Sequence, residues 1–371
     1  MTIIFMLMTC NGSKVNDKSM KKLLEYLTLF ILILIAETAQ SQIPDHKLID
    51  EAKAVPLNLN SESSIEEKKS QVLNFLHIIS GKKTLAGQHN ERFDSVHPFE
   101  RSEAIYRLTG KNPALFGIDF SYDYRINGRW SMIYEAVRQW QKGAVINVMW
   151  HASIPTLAEP CLRKEGIETK MPDSLWQELI TDGSVLNLKL KKRFDEIVVY
   201  LAYLQSKGVI VMWRPWHEMN QGAFWWGGRP GPNGTRKLYQ ITHDYFVKLN
   251  GLKNLIWVWD VQDLSWDFQD YDPGDKYWDI LALDFYSNDM YTKEKYEAIR
   301  IVSGSKPIAI GECGTLPTPE ILNEQPCWSF FMAWSDLVFK KNEEEHIIEL
   351  YNDPRVITLD KMPGWNIMDQ K

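Results

Sequence analysis

Two glutamates of this sequence stand at the ends of apolar, strand-like runs, where a carboxyl group can do acid–base chemistry. Glu218 lies in the run 213–220, which follows the apolar stretch 208–212 and contains two tryptophans and a histidine. Glu312 ends the strand-like run 306–311. A carboxyl group walled by indole and imidazole rings is desolvated, and its raised pKa suits a general acid. Two such carboxyl groups among aromatic residues are typical of enzymes that cleave glycosidic bonds.

Glu218 is interpreted as the general acid/base of the pair. It must be protonated to deliver a proton to the leaving oxygen, so its surroundings have to disfavour the anion. Trp216, Trp225 and Trp226 are the predicted walls of its pocket. The alternative interpretation is a glutamate in a surface ion pair.

Glu312 is interpreted as the nucleophile, which must stay ionised and therefore needs hydrogen-bond donors. Tyr286 is the expected donor, because it should face the same side of its strand as Asp284, two positions earlier. The alternative interpretation of Glu312 is a helix-start cap before Leu316 and Pro317.

Five further residues have two interpretations each. His151 and His217 can orient a carboxyl group or bind a sugar hydroxyl, or they can be core histidines. Arg214 is expected in a hydrogen-bonding network below the glutamates, with an ordinary buried ion pair as the alternative. Trp334 is a candidate platform under the sugar ring that is cleaved, or a core residue. His89 is interpreted as structural or as a distal sugar contact.

Composition limits the classes of function. The 371 residues are compatible with one large domain or two small ones, and an α/β barrel commonly needs about 250 residues or more. The net charge of −6 and the absence of a basic stripe argue against a nucleic-acid partner. Trp, Tyr and Phe each occur 15 times. Because sugar rings stack on aromatic rings, we expect many of these to contact carbohydrate rather than only fill a core.

The N-terminal residues read as a targeting segment. Lys21 and Lys22, directly after Met20, precede the apolar run 27–36 and small residues near a cleavage site at 39–42, which is the layout of a secretory signal. The apolar run is too short for a stable membrane span. Met20 is an alternative start, and a lipid-modified Cys10 is only weakly indicated, because no basic residue precedes it.

These features predict a secreted or periplasmic protein of three parts: a signal segment over 1–41, a linker over 42–63 and a catalytic domain over 64–371. Three cysteines would remain after cleavage, so at least one thiol is free and the fold does not depend on disulfides. No metal-ligand spacing is present, and we expect no metal, no cofactor and a monomer.

From residue 64 onward, short apolar runs alternate with amphipathic stretches, which indicates βα units and a parallel sheet. Eight candidate strands without a second composition zone favour the α/β class and a single (β/α)8 TIM barrel over a doubly wound sheet. Helices are predicted over Leu188–Ser206, Thr235–Leu249 and Lys293–Val302. A site-covering loop is predicted over Ala152–Val185. The predicted strands are Thr84–His89, Ala114–Ser121, Ala144–His151, Val209–Glu218, Leu255–Val261, Ile280–Ser287, Pro307–Glu312 and Phe330–Ser335.

Alternation along the strands predicts which side chains face the lumen. On the seventh strand, Glu312 shares the face of Ile308 and Ile310, opposite Ala309 and Gly311. The polar residues collect at the C-terminal ends, where barrel active sites lie. The residues expected inside on the other three strands are Asn147, Met149 and His151; Met212, Arg214, Trp216 and Glu218; and Ala282, Asp284 and Tyr286.

The predicted barrel also bears on stereochemistry. Carboxyl groups lie about 5–5.5 Å apart in retaining glycosidases and about 6.5–9.5 Å apart in inverting ones. The fourth and seventh strands face each other across a small lumen, so both glutamates can reach one anomeric carbon. We therefore predict retention of configuration.

Over residues 65–365 the sequence resembles glycoside hydrolase family 26, whose best-populated activity is endo-β-1,4-mannanase. The resemblance implies a retaining mechanism on a (β/α)8 barrel, with Glu218 as acid/base and Glu312 as nucleophile. The matching motifs are the runs 213–220, 224–227, 271–275, 279–280, 284–286 and 308–312.

The resemblance also implies roles for residues around the pair. His217 precedes the acid/base, Tyr286 bonds the nucleophile, His151 shapes the sugar site and Trp334 is the platform. Two departures concern the subsites: Ala223 stands where a tryptophan is frequent, and Ile154-Pro155 stands where Asn-Pro is frequent. The full predicted substrate-binding set is His151, His217, Trp225, Trp226, Tyr286, Trp334, Asp284 and Arg214.

Three functions remain open on the sequence. The first is a retaining endo-β-1,4-mannanase acting on mannan, glucomannan or galactomannan. The second is the same chemistry on mixed-linkage glucan or β-1,3-xylan, because an axial 2-hydroxyl is not encoded by residue spacing. The third is a non-catalytic glycan-binding barrel, against which the presence of both Glu218 and Glu312 argues.

Overall fold

The apolar runs of the sequence form the strands of one parallel sheet, and helices form between most of them. All described residues lie in one compact unit. The predicted signal segment and linker lie outside the described residues, as does Cys10. The computed structural model describes four ranges of residues, 64–91, 97–120, 128–264 and 267–364.

Strands β1 to β8 pair in chain order, each parallel to the next, and β8 pairs with β1 to close the barrel. A short ninth strand pairs with the first two residues of β1. The predicted single (β/α)8 barrel is therefore confirmed. The strands are β1 Thr84–His89, β2 Leu115–Asp119, β3 Val145–Trp150, β4 Val211–Pro215, β5 Leu255–Gln262, β6 Ile280–Phe285, β7 Ile308–Cys313, β8 Trp328–Ala333 and β9 Val356–Ile357.

Several helices begin at the polar cap residues that their sequences supply. Ser64 accepts a hydrogen bond from the Glu67 amide and Glu67 returns one, a reciprocal capping pair that satisfies two backbone donors. Ser184 and Thr292 cap later helices in the same way through one bond each. The helices are α1 Ile65–Ile79, α2 Glu100–Thr109, α3 Arg129–Gln141, α4 Asp173–Ile180, α5 Val185–Ser206, α6 Thr235–Asp244, α7 Lys293–Ser303, α8 Pro319–Glu324, α9 Leu337–Lys341 and α10 Glu344–Asn352.

Two of the three predicted helices have closely similar bounds in the structure. The prediction over 188–206 starts three residues late, and the one over 293–302 ends one residue early. The prediction over 235–249 joins two elements, because α6 ends at Asp244 and a π-helical turn continues over Tyr245–Leu249. The described connection between β5 and β6 contains only two short 3₁₀ turns, Phe268–Tyr271 and Asp275–Tyr277.

Large aromatic side chains fill the layer between the barrel and the helices. Trp150 contacts Phe194 of α5, and Trp213 stacks on Phe246 with ring centroids 5.8 Å apart. Both indoles are fully buried, as are most described tryptophans. The expectation that many indoles contact carbohydrate is therefore wrong for most of them. These indoles instead stabilise the fold, because burying a large aromatic side chain removes much apolar surface from water.

The segment 152–185 is folded rather than an open loop. It contains the π-helical turn Arg163–Ile167 and helix α4, and Trp176 of α4 is buried. Helix α4 packs on α5. Only the first half of the segment borders the cleft described below, through Arg163 and Glu168. The sequence signal for α4 is a short amphipathic run that the loop prediction overlooked.

Strand β7 departs from simple alternation at Gly311. Its register with β6 shifts so that Asp284 pairs with Glu312, one position beyond the expected partner Gly311. A Cβ built on Gly311 would meet the carboxylates of Asp284 and Asp260 inside the lumen. Gly311 and Glu312 therefore both face the lumen, and the predicted face that grouped Glu312 with Ile308 and Ile310 is wrong. A bulge adds one residue to a strand and redirects the side chain that follows.

Replacing Gly311 with alanine should destabilise the protein, because the added methyl group has no space between two buried carboxylates. We expect a loss of about 1–3 kcal/mol in the free energy of unfolding, measured by chemical denaturation. Gly314→Ala is the matched control, since its Cβ would make only ordinary van der Waals contacts, at 3.4 to 3.7 Å, with Leu337 and Lys341. Equal stabilities of the two variants would contradict the bulge geometry.

Two further expectations concern the described residues. Cys161, Cys313 and Cys327 are all free thiols, so none of these three cysteines forms a disulfide. Within the described ranges, no helix combines the length and the apolar composition that crossing a bilayer requires.

Candidate active site

A cleft of about 550 Å³ opens at the C-terminal ends of the barrel strands. Its wall combines acidic, basic, amide and aromatic side chains. This mixture suits a polyhydroxylated ligand, whose hydroxyls need polar partners and whose ring faces need apolar ones. The lining residues are Glu91, His151, Arg163, Glu168, His217, Glu218, Gln221, Ala223, Phe224, Gln262, Leu264, Tyr286, Glu312, Trp334, Asp336 and Leu337.

Glu218 lies on a strained loop, not on the strand itself. Strand β4 ends at Pro215, and both Trp216 (φ 54°) and Glu218 (φ 51°) have left-handed backbones. The Glu218 amide donates to Asp260 Oδ1 at 2.8 Å, which fixes the loop. The Gln221 amide donates to Glu218 Oε2 at 2.7 Å. The side chain is nearly buried, with the residue 7% exposed.

The alternation along β4 predicts that Trp216 faces the lumen and walls the Glu218 pocket. The structure contradicts this prediction. Its indole N–H donates to Thr242 of α6 at 2.8 Å, and its ring contacts Phe194 of α5. The left-handed turn after Pro215 breaks the alternation, so Trp216 points toward the helices while Glu218 still reaches the cleft.

Glu312 is held by donors on both carboxylate oxygens. The Arg214 guanidinium donates to Oε1, and the Tyr286 hydroxyl donates to Oε2 at 2.8 Å. Glu312 is 4% exposed and lines the cleft. Donors on both oxygens favour the ionised carboxylate and fix its direction, as a nucleophile requires.

Arg214 is the centre of a fully buried charge network below the cleft. One nitrogen donates to Asp260 at 2.7 Å and to Asp284 at 3.0 Å, and the other donates to Glu312. Arg214 and Asp284 do not line the cleft, so neither contacts a sugar directly from these positions. Their assignment to the substrate-binding set is corrected to a supporting one, which holds Glu312 in place.

Oxygens of Glu218, Asp284 and Glu312 all lie within 4.8 Å of one another. Such a carboxylate cluster has the size of a cation site, but the Arg214 guanidinium already bonds two of the three. For Glu218 and Glu312, this separation is close to the roughly 5–5.5 Å of retaining glycosidases and well below the inverting range.

The pKa shifts of Glu218 and Glu312 indicate which of the two binds a proton more readily. Burial raises the pKa of Glu218 well above the ordinary value, and the charges of Glu312 and Asp260 raise it further. Burial also raises the pKa of Glu312, but there the Arg214 guanidinium and the Tyr286 hydrogen bond oppose it. A proton shared by the pair therefore favours Glu218 over Glu312.

Two histidines line the cleft next to Glu218. His151 Nδ1 bonds the buried Asp119 carboxylate, and the rings of His151 and His217 lie 4.4 Å apart. Burial lowers the pKa of His217 well below its ordinary value, so His217 is neutral. The bond to Asp119 fixes the orientation of the His151 ring in the cleft wall.

Trp334 follows β8 and lines the cleft, where it is partly exposed. Its indole stacks on the His89 imidazole with ring centroids 4.1 Å apart and planes 13° apart. His89 is fully buried, and burial lowers its pKa to about 3, so it is a neutral support. One face of the indole is therefore occupied by protein, which fixes the orientation of the ring in the cleft wall. His89 itself does not line the cleft.

Residues 59–361 match the sequence model described as glycosyl hydrolase family 26. The chain belongs to this family. The resemblance found in the sequence motifs is thereby confirmed, and the two glutamates belong to a glycoside hydrolase.

Known relatives and solved structures agree with the family assignment. A mannan endo-1,4-beta-mannosidase of Thermothelomyces thermophilus is 28% identical, with 91% of this chain and 68% of the relative covered. A protein of the same name from Bacillus subtilis strain 168 is 25% identical, with 92% and 96% covered. The solved structure of GH26A from Muricauda sp. is 34% identical over 81% of this chain and 99% of that one, with a TM-score of 0.76.

A second solved structure comes from a ligand complex. It is a beta-mannanase from a symbiotic protist of the termite Reticulitermes speratus, complexed with gluco-manno-oligosaccharide. It is 27% identical to this family 26 chain, with 80% of this chain and 94% of that one covered and a TM-score of 0.70.

Trp225 and Trp226 lie behind the wall of the family 26 cleft and not on its surface. Both are fully buried, and their indole N–H groups donate to the carbonyls of Ala152 and His217 at 2.8 and 2.9 Å. Trp226 stacks on Phe224, which does line the cleft, with centroids 4.5 Å apart. Their predicted sugar contact is therefore corrected to support of the wall.

Sequence reasoning missed several residues that hold this site together. Asp119 and Asp260 are charged residues in apolar strand runs, and that contrast is the sequence signal that could have identified them as lumen-facing. Gln221 follows Glu218 by three positions and carried no comparable signal. Asp263, buried with Lys295, accepts the Tyr286 amide at 3.1 Å and so positions that tyrosine.

Proposed function

We propose that this family 26 glycoside hydrolase is a retaining, endo-acting β-1,4-mannanase that hydrolyses mannan, glucomannan or galactomannan. The observation that carries the proposal is the pair of carboxyl groups within 4.8 Å, beside the Trp334 platform and at the bottom of an open cleft. The names of the relatives supply the substrate class, since two of them are mannan endo-1,4-beta-mannosidases.

The reaction takes two displacements. Ionised Glu312 attacks the anomeric carbon while Glu218 donates its proton to the leaving oxygen, which forms a covalent glycosyl-enzyme. Glu218, now a carboxylate, then takes a proton from the water that attacks this intermediate, and Glu312 leaves. Tyr286 and Arg214 stabilise the Glu312 carboxylate before the first displacement and again after the second, when Glu312 has left the anomeric carbon.

Hydrolysis of unsubstituted mannan and galactomannan, compared with mixed-linkage β-glucan and β-1,3-xylan, tests the substrate assignment. We expect cleavage of the mannans with internal cuts, seen as an early fall in viscosity and a ladder of oligosaccharides. Preferred cleavage of glucan or xylan would contradict the assignment of mannan as the substrate. If the intact protein binds these glycans without cleaving them, it is a glycan-binding barrel and not an enzyme.

Activity should depend on pH as a bell, because the reaction needs ionised Glu312 and protonated Glu218. Falling pH protonates Glu312 and removes the nucleophile, and the raised pKa places this limb above the ordinary glutamate value of 4.5. Rising pH ionises Glu218 and removes the acid, at a pKa raised further by burial and by Glu312. The profile of kcat/KM measures both limbs. An alkaline limb that persists unchanged in Glu218→Ala would contradict the assignment.

We further propose that the protein is secreted or periplasmic and acts as a monomer. The basic, apolar and small-residue pattern over 20–42 supports export. A polymeric substrate that cannot enter a cell supports the same location. N-terminal sequencing of the exported protein and its mass in solution test the two statements. A chain retained uncleaved in the cytoplasm, or a stable dimer, would overturn them.

A further inference from the structure

We propose that Arg163, oriented by Glu168, binds the hydroxyls of the sugar unit on the leaving-group side of the bond that is cleaved. This inference rests on the proposed glycanase function and adds a specificity-determining residue to it. It predicts that the enzyme distinguishes a sugar leaving group from a non-sugar one through this side chain.

Both side chains are part of the cleft surface. Arg163 begins the π-helical turn Arg163–Ile167, and Glu168 directly follows that turn. The Arg163 guanidinium bonds the Glu168 carboxylate, with the two side chains 40% and 12% exposed. The carboxylate restricts the orientation of the guanidinium, while its exposure leaves it in reach of a ligand. Arginine held in this way donates directional hydrogen bonds.

The position of the turn relative to Glu218 identifies the leaving-group side. The acid must stand beside the leaving oxygen, so the wall that continues from Glu218 contacts the leaving group. The Trp225 amide donates to the Ile167 carbonyl at 3.1 Å, which ties the turn to the segment after Glu218. The Ile154 amide donates to the Gly166 carbonyl at 2.6 Å and ties the same turn to the segment after β3.

The other wall of the cleft has a different composition. There Trp334 is the platform, and Asp336 follows it in the chain. On the Glu218 side, Ala223 contributes only a methyl group, and Phe224 stacks on the buried Trp226. Arg163 and Glu168 are thus the charged hydrogen-bonding groups that line this wall among the described residues.

The partners of Glu168 favour its ionised form. Burial raises the pKa of Glu168, but Lys164 and Arg163 outweigh it, so the pKa lies below the ordinary value. Lys164 also bonds Glu168, yet its side chain is 83% exposed and does not line the cleft. Arg163 and Lys164 therefore differ in access to the cleft while sharing one ion-pair partner.

This difference supplies a matched pair of variants, Arg163→Ala and Lys164→Ala. Each is compared with the intact enzyme on mannotetraose, which has a sugar leaving group, and on an aryl β-mannobioside, which has none. We expect Arg163→Ala to lower kcat/KM on mannotetraose about 10- to 100-fold, the loss typical of a charge-assisted hydrogen bond. Its kcat/KM on the aryl substrate should stay unchanged, and Lys164→Ala should match the intact enzyme on both.

Transfer to an acceptor sugar is the second readout. The acceptor occupies the leaving-group side when it attacks the glycosyl-enzyme, so Arg163→Ala should transfer less to mannobiose relative to water. Equal losses on both substrates, or no loss on mannotetraose, would overturn the proposal. If the intact enzyme cleaves no mannoside, the proposed substrate class fails instead, and the same ratio is measured with the β-glycan that it does cleave.

Discussion

Replacing Glu312 with alanine is expected to lower mannan turnover on the order of 10⁴-fold or more, because no other group can form the covalent intermediate. The fold should survive, since Arg214 keeps its bonds to Asp260 and Asp284. Binding of manno-oligosaccharides should be retained, because the Trp334 platform and the cleft wall are unchanged. Initial rates on mannan and calorimetric titration with mannotetraose measure the two effects.

Azide provides the control for this variant. A small anion in the space left by Glu312 can attack an activated aryl β-mannobioside directly, which should release the α-configured glycosyl azide. That inverted product would show that only the nucleophile is missing. Loss of the folded state, or turnover near the level of the intact enzyme, would contradict the role of Glu312.

Replacing Glu218 with alanine should give a loss that depends on the leaving group. Without the acid, a sugar leaving group must depart as an alkoxide, and we expect a fall of about 10²–10⁴-fold on mannan. A nitrophenolate departs without a proton, so formation of the glycosyl-enzyme from an aryl mannobioside should change far less. Stopped-flow release of the phenol, set beside steady-state rates on mannan, separates the two steps.

Gln221→Ala is a suitable comparison for Glu218→Ala, because Gln221 bonds the same carboxylate but transfers no proton. Its loss on mannan should be smaller than that of Glu218→Ala, because Glu218 can still donate a proton. With azide, the Glu218 variant should form the β-configured azide from the glycosyl-enzyme. Equal losses on mannan and on the aryl substrate in Glu218→Ala would remove the acid role from this residue.

The barrel and the two glutamates could be predicted from the sequence for one physical reason. A strand buried between lumen and helices is apolar, so a charged side chain at its end stands out against its neighbours. Glu312 after Ile310 and Gly311 is such a contrast, and so is Arg214 within β4. The same signal was present at Asp119 and Asp260, where it was not used.

The directions of some side chains could not be predicted, because alternation assumes an unbroken strand. The bulge at Gly311 moves Glu312 to the lumen, and the left-handed turn at Trp216 moves that indole to the helices. Both are local backbone events whose cause lies in contacts with other strands, such as the bond from the Glu218 amide to Asp260. Gly311 is a local signal for the bulge, because an isolated glycine in a strand run suggests one, but the prediction did not use it.

The residues that form the cleft wall could not be predicted from the sequence either. Arg163 and Glu168 come together because a π-helical turn is anchored to segments that follow two different strands. Trp225 and Trp226 look like sugar contacts in the sequence, but helices and loops cover them. Burial of an aromatic side chain is decided by packing, which spacing alone does not reveal.

The left-handed backbone at Glu218 implies a trade-off between durability and catalysis. A non-glycine residue in this conformation costs about 1–3 kcal/mol, and a buried acid beside other carboxylates adds to that cost. Glu218→Gly should therefore turn over mannan far more slowly than its parent and melt at a higher temperature. Selection for thermal stability alone would favour replacement of Glu218. Directed evolution of a more stable enzyme therefore has to screen for turnover at every round.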